Sequence, residues 1–158
     1  MKRLVIYLVA TFLVGALAGG VAVAGECELG GGGKLDVEFG DVELMGIAKF
    51  GGSIRQRSEG STRGAWFMAA ADGSTFNATD FDDIGCTING VDIADVTGVG
   101  VWNGEVVGFA LSMVEDNMFD IPVTIQMTIH ELGSTIEIAR MAGNVIRGHA
   151  KVTVGSSP

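Results

Sequence analysis

Ile121-Pro122-Val123-Thr124-Ile125-Gln126-Met127-Thr128-Ile129-His130 carries a large aliphatic side chain at every odd position and a polar residue or proline at every even one. A period of two sends successive side chains to opposite faces of an extended chain, so the segment reads as a strand with one buried face and one wet face. A second such segment closes the chain. There Ile146, Gly148, Ala150, Val152 and Val154 form one face, and Arg147, His149, Lys151 and Thr153 the other. Both histidines, His130 and His149, fall on the solvent side. His130-Glu131 also lacks the second histidine at helical spacing that a zinc-protease motif needs.

Trp102-Asn103-Gly104-Glu105 is the clearest turn. Asn-Gly fills both left-handed positions of a type I′ hairpin at low cost. Folding about it pairs Trp102 with Glu105, Val101 with Val106, Gly100 with Val107 and Gly98 with Phe109. Gly98 and Gly100 then leave room for Phe109 and Val107 to lie across the neighbouring strand, and let the sheet bend. Further turns are expected at Glu59-Gly60-Ser61-Thr62, at Asn89-Gly90 and at Gly143-Asn144. No helix is expected in this part of the chain: Met141 to Asn144 is too short, and Ala69-Ala70-Ala71 runs into Asp72-Gly73. About nine or ten strands joined by short links predict an all-β, up-and-down antiparallel meander. A meander must hide its two edge strands, and joining first to last as a small β-barrel does so; a two-layer β-sandwich is the alternative.

At the other end, Met1-Lys2-Arg3 precedes an uncharged, largely apolar run from Leu4 to Ala24 that ends in Ala22-Val23-Ala24. A charged start, an apolar stretch and an A-x-A ending make a signal-peptide helix over residues 1–24, cleaved after Ala24. The small residues Gly15, Ala16, Ala18, Gly19 and Gly20 weigh against an uncleaved anchor, and Glu26 before Cys27 weighs against lipid modification. Residues 25–33, with Gly30 to Gly33, read as a flexible lead-in. A single β domain over 34–154 and a short tail over 155–158 follow. The protein is thus expected to be secreted or periplasmic, meeting a membrane only through the signal segment.

Charge and cysteines narrow the classes further. The 158-residue chain carries a formal charge of −9, and loss of Lys2 and Arg3 makes it two units more negative. Repulsion from phosphate backbones and anionic membranes sets nucleic-acid binding aside. The only two cysteines, Cys27 and Cys86, read as one disulfide in an oxidising compartment. It would close a loop of about 60 residues and stabilise by roughly 4 kcal/mol on the loop-entropy view.

Few residues offer chemistry. Asp72, Asp80 and Asp82 lie in an oxygen-rich stretch that could hold Ca²⁺, though its spacing fails the EF-hand pattern. Glu115, Asp116 and Asp120 form a second acidic group, able in principle to hold Ca²⁺ or to act as an acid/base pair on a glycoside. The simpler reading of both is turn-forming, solvated side chains. No other cofactor is expected. There is no G-x-S-x-G elbow, and Gly30 to Gly33 lacks the Lys-Ser/Thr and helix of a phosphate loop. Trp66, Trp102 and Phe109 could line a ligand cavity inside a barrel, or fill a core.

Gly31-Gly32-Gly33, Phe50-Gly51-Gly52, Gly60-Ser61-Thr62-Arg63-Gly64-Ala65-Trp66 and Thr97-Gly98-Val99-Gly100-Val101-Trp102-Asn103-Gly104 follow one another in a distinctive order. Gly108-Phe109, Val114-Glu115-Asp116-Asn117 and Gly143-Asn144-Val145-Ile146 continue it. In this order and spacing, residues 30 to 149 resemble the small secreted bacterial domains called post-COAP domains. The chain departs from that pattern at Met118-Phe119-Asp120, where a Gly- and Pro-rich loop is usual, and after Trp66, where only Asp72 matches an aromatic-acidic pair. The resemblance implies secretion and an all-β fold, with no agreed activity and no catalytic residues to carry over. The expectation is a secreted, non-enzymatic β module acting by binding or structural presentation, with an unknown protein or small-molecule partner. A barrel for a small apolar ligand is the first alternative, and a secreted hydrolase using acidic residues the second.

Overall fold

A computed structural model describes residues 26–57, 59–87, 90–119 and 121–155. The expected signal-peptide helix over 1–24 and Asn89 of the expected turn lie outside these residues. Eight strands follow one another: β1 (Glu26–Gly40), β2 (Gly46–Gln56), β3 (Thr62–Ala69), β4 (Thr75–Thr87), β5 (Val91–Trp102), β6 (Glu105–Asp116), β7 (Thr124–Glu131) and β8 (Glu137–Gly155). Each pairs antiparallel with the next, and β1 pairs with β8, closing a barrel. The meander and its closure are therefore as expected, and the sandwich is not adopted. Eight strands stand where nine or ten were counted; one fewer follows from β8, at 19 residues, running unbroken through Gly143-Asn144.

Two expected loops are strand. Gly30 to Gly33 is not a lead-in but the middle of β1, where Gly31 pairs with Gly52 and Ala150, and Gly33 with Phe50 and Gly148. A Cβ on Gly33 would stand 1.9 Å from the Arg147 carbonyl oxygen. Close approach of backbones, not flexibility, calls for glycine there. Gly143-Asn144 is likewise no turn: both lie within β8, and a Cβ on Gly143 would stand 1.9 Å from the Asp36 carbonyl oxygen.

A bulge also changes the face expected for Ile146. Lys34 pairs with Arg147 but Leu35 with Val145, which leaves Ile146 unopposed and 55% exposed. One extra residue reverses the alternation. The buried positions of β8 are odd before it, at Ala139 and Met141, and even after it, at Ala150 and Val152. At the start of β7, Ile121 precedes the strand and is exposed, while Ile125, Met127 and Ile129 are fully buried.

The Asn103-Gly104 hairpin has the expected register throughout, with φ of 50° at Asn103 and 91° at Gly104. Gly98 does give room to Phe109, whose Cε1 would lie 3.0 Å from an added Cβ. At Gly100 the space belongs instead to Phe76, from the strand on the other side, at 2.5 Å.

The interior is apolar, and among the described residues no polar or charged residue is fully buried. Phe50 stacks on Trp66 with centroids 5.7 Å apart, and Phe109 meets Phe76 edge-on at 5.1 Å and Phe81 at 6.1 Å. Burial of such a side chain stabilises by about 1.5–3 kcal/mol.

The ladders are uneven around the barrel. β3 and β4 pair only from Trp66↔Ala78 to Ala69↔Thr75, and β7 and β8 stop at Thr124↔Asn144. Beyond those points, among the described residues, the wall parts into two faces, β8-β1-β2-β3 and β4-β5-β6. The disulfide bridges them.

Candidate functional site

Cys27 of β1 and Cys86 of β4 form that disulfide, with Cα atoms 5.9 Å apart and 59 residues between them in sequence. The two strands are not neighbours in the sheet. The bond therefore crosses the interior where hydrogen-bonded pairing across β3 and β4 has ended. Such a bond is compatible with an oxidising, extracytoplasmic location.

The three aromatic residues expected at a cavity sit within the packed interior or at its end. Trp66 and Phe109 are 2% and 0% exposed, and Trp102, next to the hairpin turn, is 9% exposed. The Trp66 indole Nε1 and the Thr62 hydroxyl are both buried without a hydrogen-bond partner. Both belong to β3, on either side of Gly64, beside the part of β3 that has no pairing with β4.

The acidic groups do not converge. Asp72 closes its own turn, accepting from the Ser74 N–H and hydroxyl at 2.8 Å each. Asp80 accepts from the Phe81 N–H at 3.0 Å, and Asp82 is exposed. Glu115 accepts from the Val152 N–H at 3.0 Å, and Asp116 from the Met118 N–H at 2.9 Å. Asp120 lies outside the described residues. Among the described residues no three His, Cys, Asp or Glu side chains come together as a metal site. Asp72 and Asp116 accept backbone hydrogen bonds at turns, as short acidic side chains commonly do, while Asp80 does so within β4 and Glu115 across to β8.

The histidines lie on the outer face, as expected. The His130 ring covers Gly108, where an added Cβ would stand 2.1 Å from Cε1, and its Nδ1 is 3.2 Å from the Glu131 carbonyl oxygen. His149 is exposed on β8.

What the sequence reading missed is how charge is divided around the barrel. Residues 64–136 hold eleven carboxylates and no lysine or arginine. They form β4 to β7 and most of β3. The cations lie on the other wall. Lys49, Lys34 and Arg147 stand side by side on β2, β1 and β8, since Lys34 is the register partner of both others. Two residues along, Gly51, Gly32 and His149 make the next row, in which only Gly32 is uncovered by a side chain of its own or a neighbour's ring, the Phe67 ring lying over Gly51. Arg55, Arg57 and Arg63 line an open depression of about 570 Å³ on the same wall, together with Glu26 and Glu59. Arg55 and Arg63 are cross-strand partners. The Glu26 carboxylate, hydrogen-bonded to Arg55, holds that guanidinium's pKa above its ordinary value. The long run without a basic residue was visible in the sequence; that its strands form one contiguous wall was not.

Fold and surface together define an eight-stranded antiparallel barrel with an apolar interior and an electrically two-sided exterior. Comparison with family models, curated proteins and solved structures found no match.

Proposed function

We propose that the protein is an exported, non-catalytic β-barrel module of the post-COAP kind, acting outside the cytoplasm by binding or structural presentation. The observation that carries this reading is where the polar chemistry sits. Charged side chains face outward around an apolar interior, the inverse of a membrane-spanning barrel with its apolar outer band. The candidate acidic residues Asp72, Asp80, Glu115 and Asp116 accept backbone hydrogen bonds. The disulfide supports export. Assays with ester, peptide and glycoside substrates test the reading: no turnover is expected. Hydrolysis that disappears in Asp116→Ala or Asp120→Ala would overturn it in favour of a hydrolase.

The alternative of a small apolar ligand in the barrel has one observation in its favour, the unpartnered Nε1 of Trp66 within the interior. A buried donor without an acceptor costs about 1–3 kcal/mol, which a bound acceptor would offset. Retention of a fluorescent hydrophobic probe by the folded protein, lost in Trp66→Phe, would favour it.

A further inference from the structure

We propose that the wall formed by β8, β1, β2 and β3 docks the β4–β7 wall of a second copy of this chain. The proposal rests on the reading of the protein as a binding or structural module, and names the partner.

The argument starts from a cost. Like charges directly opposite one another on neighbouring strands are destabilising. Lys49, Lys34 and Arg147 are three such neighbours in one row, and Lys151 follows on the same face of β8. Among the described residues none of the four has a carboxylate within 4.0 Å, although the ion pairs of Arg55, Arg57 and Arg140 do form on this half of the barrel. Among the described residues no ion pair offsets the row. An external anionic surface would.

That surface is present on the chain itself. After Ala24, the residues outside 64–136 hold equal numbers of acidic and basic side chains, so the whole excess of negative charge lies in 64–136. In a closed ring of eight strands, β5 stands across the barrel from β1. Asp95 of β5 and Asp82 of β4 are exposed there. Both walls are four strands wide. Strands about 4.8 Å apart and about ten residues long at about 3.3 Å each give a face of roughly 600 Å². This is toward the small end for a stable pair, so the contact should depend on concentration. Net repulsion between two acidic copies is screened beyond about 8 Å at physiological salt, whereas opposed charges at contact are screened only in part and lose strength at high salt.

Gly32 carries no side chain beside the row, and the Phe67 ring, 45% exposed, lies over the buried Gly51 and offers apolar contact there. Because the two patches differ and lie on opposite sides, the contact is heterologous. Such contacts repeat into open chains when they do not close into a ring.

The test uses the purified protein and one double variant, Lys49→Glu with Arg147→Glu. The altered row reads Glu-Lys-Glu across three strands, which pairs opposite charges and leaves folding intact; an unchanged or raised unfolding midpoint checks this. By light scattering at physiological salt, the wild-type mean mass should rise with concentration, and its apparent Kd should weaken about tenfold or more between physiological and high salt. The variant should remain a single copy. It keeps its acidic wall, so an excess of it should cap wild-type chains and bring the mixture down to pairs. A wild type that stays a single copy at high concentration and physiological salt overturns the proposal, as does a variant that associates like the wild type. Either result leaves the module reading standing, since that reading fails only on hydrolysis.

Discussion

The carboxylate of Glu115 accepts a hydrogen bond from the backbone N–H of Val152 at 3.0 Å, joining β6 to β8 across a seam where no strand pairing remains. β7 leaves β8 at Asn144, and Val152, 3% exposed, would otherwise have a buried donor with nothing beside it. A side chain thus takes the place of a missing strand.

Glu115→Ala is accordingly expected to destabilise by about 1–3 kcal/mol, the cost of a buried unpaired donor. Glu115→Gln, which keeps an oxygen acceptor, should lose less than half as much. Chemical denaturation of the two variants measures the difference. Equal losses would show that the contact contributes nothing specific.

The disulfide acts at the same open end. Replacing both Cys27 and Cys86 by serine should cost about 2–5 kcal/mol. Because Cys86 lies in the part of β4 unpaired with β3, amide exchange should accelerate first along 80–87 and at the start of β1. Exchange that accelerates evenly over all strands would contradict this placement of the bond.

Neighbouring glycines in β1 should respond oppositely to the same change. A Cβ on Gly33 points inward to within 1.9 Å of the Arg147 carbonyl oxygen, while one on Gly32 meets nothing closer than 3.6 Å. Gly33→Ala should destabilise by about 1–3 kcal/mol or more, as overpacking against backbone does. Gly32→Ala should stay within about 0.5 kcal/mol of wild type, because its added methyl makes only ordinary van der Waals contact. Thermal melts of the pair decide it.

Asn103 does more than form its turn. Its Oδ1 accepts from the Thr75 N–H at 2.8 Å, its backbone N–H donates to the Thr75 carbonyl at 3.0 Å, and its Nδ2 donates to the Ser74 hydroxyl at 3.2 Å. The β5–β6 hairpin is thereby tied to the turn that begins β4. Asn103→Gly keeps the left-handed backbone and removes only the side-chain bonds, so it should still cost about 1 kcal/mol. A neutral Asn103→Gly would reduce this residue to a turn former.

How much of this could be read beforehand follows from the range of each interaction. The Trp102–Glu105 hairpin was legible down to its register because a two-residue turn sets the pairing of both strands locally. Ile125, Met127 and Ile129 were legible as core because alternation is a property of the strand itself. The Cys27–Cys86 bond followed from there being only two cysteines. Gly30 to Gly33 misled because glycine-rich composition favours loops, and only the approach of β8 shows that Gly31 and Gly33 must lack side chains. Ile146 misled because a bulge depends on the partner strand.

The sequence by itself determined the β character of the chain, the inward-facing residues between bulges and the lack of positive charge from Gly64 to Ile136. These are properties of nearest neighbours and of composition. Closure of β1 on β8, the bridging of two seams by the disulfide and Glu115, and the gathering of Lys34, Lys49 and Arg147 into one row were decided only by tertiary structure. Each depends on strands distant in sequence coming together in the closed barrel. No local pattern encodes which strand becomes whose neighbour.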